Sequence, residues 1–120
     1  MASMEVKRID APDETRPFVD KGHADVVEVG GHTVGHGVFE PGWRWSEHVK
    51  PIAQTDSCQV SHLCYCESGR MHVVMDDGSE GEVGPGDVVA IPPGHDAWTV
   101  GDEPCVLLDF GEFGEYAKRH

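Results

Sequence analysis

The chain has 120 residues, 38% of them hydrophobic, with 15 Gly and 8 Pro, which suits one turn-rich β domain better than a helical bundle. Its formal net charge of −13 argues against nucleic acid and anionic membrane surfaces as partners, since both would repel it. No stretch has the apolar length of a signal-peptide core or a membrane span, so the expected location is the cytoplasm, where Cys58, Cys64, Cys66 and Cys105 read as free thiols.

Residues 1–22 are polar, carry Pro12 and Pro17, and read as an N-terminal arm. Met1-Ala2-Ser3 ahead of a second methionine, Met4, has the look of an added leader. The main body is expected over 23–111. There Asp25 to Val29 and His32 to Phe39 are β-rich runs joined by Gly30-Gly31, a two-residue hairpin signal. Pro41-Gly42 makes a turn, and Trp43 to Val49 is expected to be extended again, with Trp43 and Trp45 on an outer face. Pro51 to Ser57 is the long irregular connection, a candidate loop over the mouth. Cys58 to Glu67 is the next predicted strand, and Arg70 to Met75 the one after it. Asp77-Gly78 sits at a hairpin tip. Glu80 to Val83, Val88 to Ile91, Asp96 to Val100 and Cys105 to Phe110 complete the set. Residues 112–120 form a tail or short helix.

The most telling stretch is Gly84-Pro85-Gly86-Asp87-Val88-Val89-Ala90-Ile91-Pro92-Pro93-Gly94. Its four apolar residues are too few for a helix, and a Pro pair cannot continue a central strand. A short buried strand between two sharp corners is the result, as in a small β-barrel with a mouth.

Gly86, Pro92 and Gly94 also resemble the second motif of the cupin family, G-x5-P-x-G-x2-H. The first motif, G-x5-H-x-H-x3,4-E-x6-G, is matched by Gly42 and, after five residues, His48, and by Gly69 with His62 at the distance of the motif's Glu. Lys50 stands at the second His, His62 at the Glu and Ala97 at the second motif's His, with eleven residues between Lys50 and His62. The resemblance runs from about Gly31 to Phe110. It implies an all-β jelly-roll barrel of two facing antiparallel sheets. The sheet edges such a small barrel leaves, with Trp43 and Trp45 as an apolar outer face, point to a homodimer joined by strand exchange or sheet extension near the N-terminus.

Strand alternation selects the interior. With His62 inward, Cys64 and Cys66 follow it; with His48 inward, Arg44 does too. Val73 and Met75 line the next strand and leave His72 outside. Trp98 follows the mouth turn as a ligand platform. The expected pocket is therefore Arg44, His48, His62, Cys64, Val73, Met75 and Trp98. His48, His62 and His95, with Cys58 or Cys64 nearby, form the candidate ligand set for a divalent metal such as Zn, Ni, Fe or Mn. The leading functional reading is a small-molecule-binding protein with a weakly held metal. The alternatives are a metal-dependent enzyme of dioxygenase or isomerase type, a metal-free acid–base enzyme, or a non-catalytic sensor. The same fold hosts all of these chemistries.

Overall fold

The computed structural model describes residues 3–119, with backbone alone at Glu115. Met1 and Ala2 of the candidate leader, and His120 of the tail, lie outside the described residues. Among the described residues, nine strands form two antiparallel sheets. β1 (Glu14–Pro17), β2 (Gly22–Val29), β3 (His32–Phe39), β4 (His62–Ser68), β7 (Val88–Ile91) and β9 (Cys105–Asp109) build the larger sheet, in the order β1-β2-β3-β9-β4-β7. β5 (Arg70–Met75), β6 (Glu80–Val83) and β8 (His95–Val100) build the smaller, in the order β6-β5-β8. No helix among the described residues is long and apolar enough to cross a membrane.

The turn chemistry legible in the sequence sets the strand pairing. Val29 pairs with His32 across Gly30-Gly31, whose φ values are 57° and 78°, the two-residue turn that matches the twist of its strands. Ile91 ends β7 and His95 begins β8, with Pro92-Pro93-Gly94 as the corner between them. Side chains then alternate. Ala24, Val26, Phe39, Cys64, Cys66 and Leu107 of the large sheet face Met71, Val73 and Ala97 of the small one, and all are buried.

Three expectations are corrected. Trp43 to Val49 is not a strand: α1 (Trp45–His48) and α2 (Lys50–Ala53) are single helical turns. Trp45 and Val49 stand four apart, so one helical turn brings both onto the buried side, and Pro51 sits in the first turn of α2, where its missing N–H costs nothing. Second, Trp43 and Trp45 are each 2% exposed and belong to the core, not to an outer face. Phe18 and Phe39 stack at 5.4 Å, and Phe39 meets Trp43 edge-on at 4.5 Å. Third, parts of the arm and tail are packed. β1 covers the edge of β2, and Phe18, Phe113, Tyr116 and Ala117 are buried. The buried Arg16 guanidinium donates from Nη1 to the carbonyls of Phe113 and Tyr116, at 3.1 and 2.9 Å, and from Nη2 to Glu14. The tail is thereby strapped across one end of the barrel.

Candidate metal centre

His62 opens β4 and Asp109 closes β9, the neighbouring strand of the large sheet. Both point inward, and Asp109 accepts a hydrogen bond from Nδ1 of His62. The second carboxylate oxygen of Asp109 accepts the backbone N–H groups of Leu63 and Gly111 at 3.4 and 2.8 Å, so the carboxylate is fixed from two sides. His95 enters from the small sheet directly after the Pro-Pro-Gly corner. Its Nδ1 donates to the Pro92 carbonyl at 2.9 Å. The His62 and His95 rings meet edge-on with centroids 5.2 Å apart.

Cys58 completes the cluster. It precedes β4 and bridges to His95 through backbone bonds: the Cys58 N–H donates to the His95 carbonyl at 2.7 Å, and the Gly94 N–H to the Cys58 carbonyl at 2.7 Å. This places its sulfur 3.6 Å from Nε2 of His62. One donor atom from each of Cys58, His62 and His95 lies within 4.8 Å of the others, and all three residues are buried. His62, Cys64 and Asp109 satisfy the same criterion, sharing His62 with the first set.

The electrostatics of the cluster are coupled. Burial pushes the Cys58 thiol up, but hydrogen bonds with His62 and His95, and attraction to both rings, outweigh it and bring it down to about 7. Burial pushes His62 down, yet the hydrogen bond to Asp109, the contact with Cys58 and the charges of both raise it to about 9. Near neutral pH the metal-free pair therefore tends towards thiolate and imidazolium. Cys64 behaves in the opposite way, raised by burial and then by the negative charge of Asp109, so it is a poor donor beside Cys58.

The donor set fits a transition metal. With each Nδ1 held by an acceptor, the two imidazoles keep Nε2 for coordination, the arrangement in which an outer partner orients a ligating His. A tetrahedral ion with a sulfur at about 2.3 Å and a nitrogen at about 2.0–2.1 Å separates those two atoms by roughly 3.5 Å, against the 3.6 Å found here. A thiolate with two imidazoles favours Zn, Fe or Ni over Mn, which prefers oxygen.

Against the side chains expected from sequence, the structure brings together His62, His95, Cys58 and Cys64 but leaves five others apart. His48 ends α1, and its Nδ1 accepts the Arg44 N–H at 3.0 Å, so it is spent on its own helical turn and joins neither cluster. Trp98 shares the outward face of β8, its ring tilted against His72 at 4.8 Å, under the Arg44 guanidinium at 4.2 Å. Arg44 and Trp98 are thus a surface pair, because the helix at Trp45 breaks the strand parity from which Arg44 was placed. Val73 and Met75 do face inward, but into an open apolar groove of about 260 Å³ with Val83, Val89 and Ile91. The central cavity is lined instead by His62, His95 and Asp109 with Trp43, Trp45 and Tyr116, among others, and holds only about 30 Å³, room for one or two waters. On its other side Cys58 lines a cleft of about 170 Å³ that also carries Gln59, Tyr116 and Lys118. His62 was placed by its distance from Gly69, and Cys58 entered only as a nearby thiol; the three residues between Cys58 and His62 are a spacing that could have joined them. Nothing local pointed to Asp109, which reaches His62 only through the β4–β9 pairing.

Comparison with known proteins agrees with this architecture. No curated protein matches the chain. A Rhizobium leguminosarum protein of unknown function superposes with a TM-score of 0.62 at 19% identity, covering 92% of this chain and 99% of that one. The polyketide cyclase RemF of Streptomyces resistomycificus superposes with a TM-score of 0.62 at 20% identity over 89% of this chain and 78% of its own. A cupin 2 conserved barrel protein of Salinispora arenicola gives 0.58 at 20% identity, over 90% and 87%. At these identities the likeness is one of fold. The family profile described as Cupin domain matches residues 36–111, well over half of the sequence, from the middle of β3 to just past the end of β9, and the chain belongs to that family.

Proposed function

We propose that this cupin holds one divalent transition metal through Cys58, His62 and His95, braced by Asp109, and takes a small ligand in the adjoining cavity. The observation that carries the reading is the convergence of three buried donor atoms within 4.8 Å, with the Nδ1 of each imidazole already engaged. When bound, such a metal supplies Lewis acidity or a redox couple to whatever shares its cavity. The chain's own residues set the limits on that ligand. A cavity of about 30 Å³ admits a water-sized group, and anything larger must displace side chains of its lining, which includes Phe113 and Tyr116 of the strapped tail. Trp43 and Trp45 line the cavity, and their buried indole N–H groups have no hydrogen-bond partner among the described residues. A ligand bringing an acceptor to either would relieve a cost of about 1–3 kcal/mol.

Metal analysis of untagged protein tests the proposal. One equivalent of Zn, Fe or Ni per chain is expected, lost in His62→Ala and His95→Ala and kept in His48→Ala. Retention of full metal content by His62→Ala would refute the assignment, since two remaining donors make too weak a site. A second reading, metal-free acid–base chemistry, is favoured by the Cys58–His62–Asp109 relay, with a thiol lowered to about 7 and an imidazole raised to about 9. Protein that takes up no metal after reconstitution would favour that reading.

A further inference from the structure

β6 ends the small sheet and β7 ends the large one. The two strands are consecutive, joined by the Gly84-Pro85-Gly86-Asp87 turn, yet no ladder pairs them among the described residues. The sandwich is therefore open along this flank, and the groove of about 260 Å³ lies in the opening. Its floor is apolar: Val73 and Met75 from β5, Val83 from β6, and Val89 and Ile91 from β7. Strand alternation explains the space. Gly81 shares the inward face of β6 with buried Val83, and pairs with Val73 of β5. It stands where the alternation calls for an apolar side chain. A Cβ on Gly81 would meet nothing within 4 Å, and its φ lies outside the left-handed region. Neither strain nor a close approach requires glycine there. Glycine inside a strand weakens it, so this position gives up stability and leaves the groove unfilled. Ile91 lines both the groove and the central cavity, so the two adjoin at that side chain.

We propose that this groove binds a small hydrophobic amine, with its apolar body on the floor between the sheets and its protonated nitrogen at the rim beside Glu82. Charge selects the occupant. Glu80 and Glu82 line the groove, whereas no Lys, Arg or His does among the described residues. The chain as a whole carries −13, so an anionic ligand is repelled and a cationic one drawn in. Glu80 is engaged by Nε2 of His72 at 3.0 Å, which leaves the exposed Glu82 to meet the ligand's charge. Size selects further. A volume of about 260 Å³ falls just short of the roughly 300–1,000 Å³ of drug-sized sites, and suits a body of one or two rings. None of Cys58, His62 and His95 lines the groove, so the inference stands apart from the metal centre.

The test titrates 1-naphthylmethylamine into the full chain by calorimetry at neutral pH, with naphthalene-1-carboxylate as the anionic counterpart. The amine is expected to bind once per chain, about 10-fold tighter than the carboxylate at low salt, with the gap narrowing as salt is added. Glu82→Gln is expected to weaken the amine about 2- to 5-fold and to leave the carboxylate no weaker. Gly81→Ile fills the groove with a side chain suited to a strand. It is expected to lose the amine while its urea midpoint holds or rises, because the side chain enters open space. A wild-type chain that does not take up the amine would overturn the inference. So would binding that survives Gly81→Ile, a carboxylate bound as tightly as the amine, or a Gly81→Ile chain that fails to fold, which would deny the open space. His62→Ala should still bind the amine, and Gly81→Ile should keep the wild-type metal content, so failure of the groove and failure of the metal centre are told apart.

Discussion

Replacing Asp109 with Asn tests whether a relay of three side chains controls the Cys58 thiol. The carboxylate is 2% exposed and accepts from His62 and from the Leu63 and Gly111 backbone. An amide keeps the shape, but loses the charge and can satisfy only one of those two sides as an acceptor. Without the charge, burial governs His62, its proton is released more easily, and the thiolate loses its closest cation. Cys58 stands at about 7 against an ordinary 9.0, roughly a hundredfold, or about 3 kcal/mol, of preference for the thiolate. At pH 7 about half of Cys58 is thiolate; a full return to the ordinary value leaves about one part in a hundred. Because the contact with His95 persists, the expected fall in alkylation rate at pH 7 is about 5- to 50-fold. The assay is the pH profile of iodoacetamide labelling on metal-free protein, with the modified residue located by mass spectrometry. Cys64, Cys66 and Cys105 are all raised, chiefly by burial, and stay silent, so the readout belongs to Cys58. An unchanged midpoint for Cys58 in Asp109→Asn would refute the relay.

The same pair makes a prediction about stability. His62, raised above its ordinary 6.5, stabilises the fold fully below 6.5 and loses that contribution as pH rises through about 9. Cys58, lowered from 9.0, contributes fully above 9 and loses it as pH falls through about 7. Between pH 7 and 9 the folded and unfolded states each hold one proton on the pair, so the two slopes cancel. Urea midpoints of metal-free protein should be level across that window, and a trend of about 1.4 kcal/mol per pH unit would contradict the coupling. Gly35 faces Phe113 so closely that a Cβ there would overlap the ring; Gly35→Ala should cost about 1–3 kcal/mol in urea denaturation, and no loss would deny the close approach. Arg16→Met removes the bonds to the Phe113 and Tyr116 carbonyls, each worth about 1.5–3 kcal/mol as a bond from a charged donor. Limited proteolysis should then cut beyond Gly111 sooner than in wild type, and an unchanged rate would mean that the strap is held by packing alone.

Local chemistry determined much of this protein from its sequence. Gly30-Gly31, Asp77-Gly78 and Pro92-Pro93-Gly94 mark turns because only certain residues adopt the required backbone, and those turns place the strands. Alternation along His62, Cys64 and Cys66 put them inside for the same reason: a strand repeats every two residues. The reading failed where a period of two gave way to a helical turn. Trp45 and Val49 bury together only on a helix, and once that turn forms, parity no longer carries from His48 to Arg44. Trp98 was placed by its nearness to the mouth turn, while alternation from the inward His95 and Ala97 sets it on the outer face. The site itself is a product of tertiary structure. Asp109 lies 47 positions from His62, and His95 meets Cys58 across a bridge between segments remote in sequence. No local pattern encodes such neighbours; pairing β4 with β9, and closing the small sheet over the large one, is what puts a thiol, two imidazoles and a carboxylate within reach of one another.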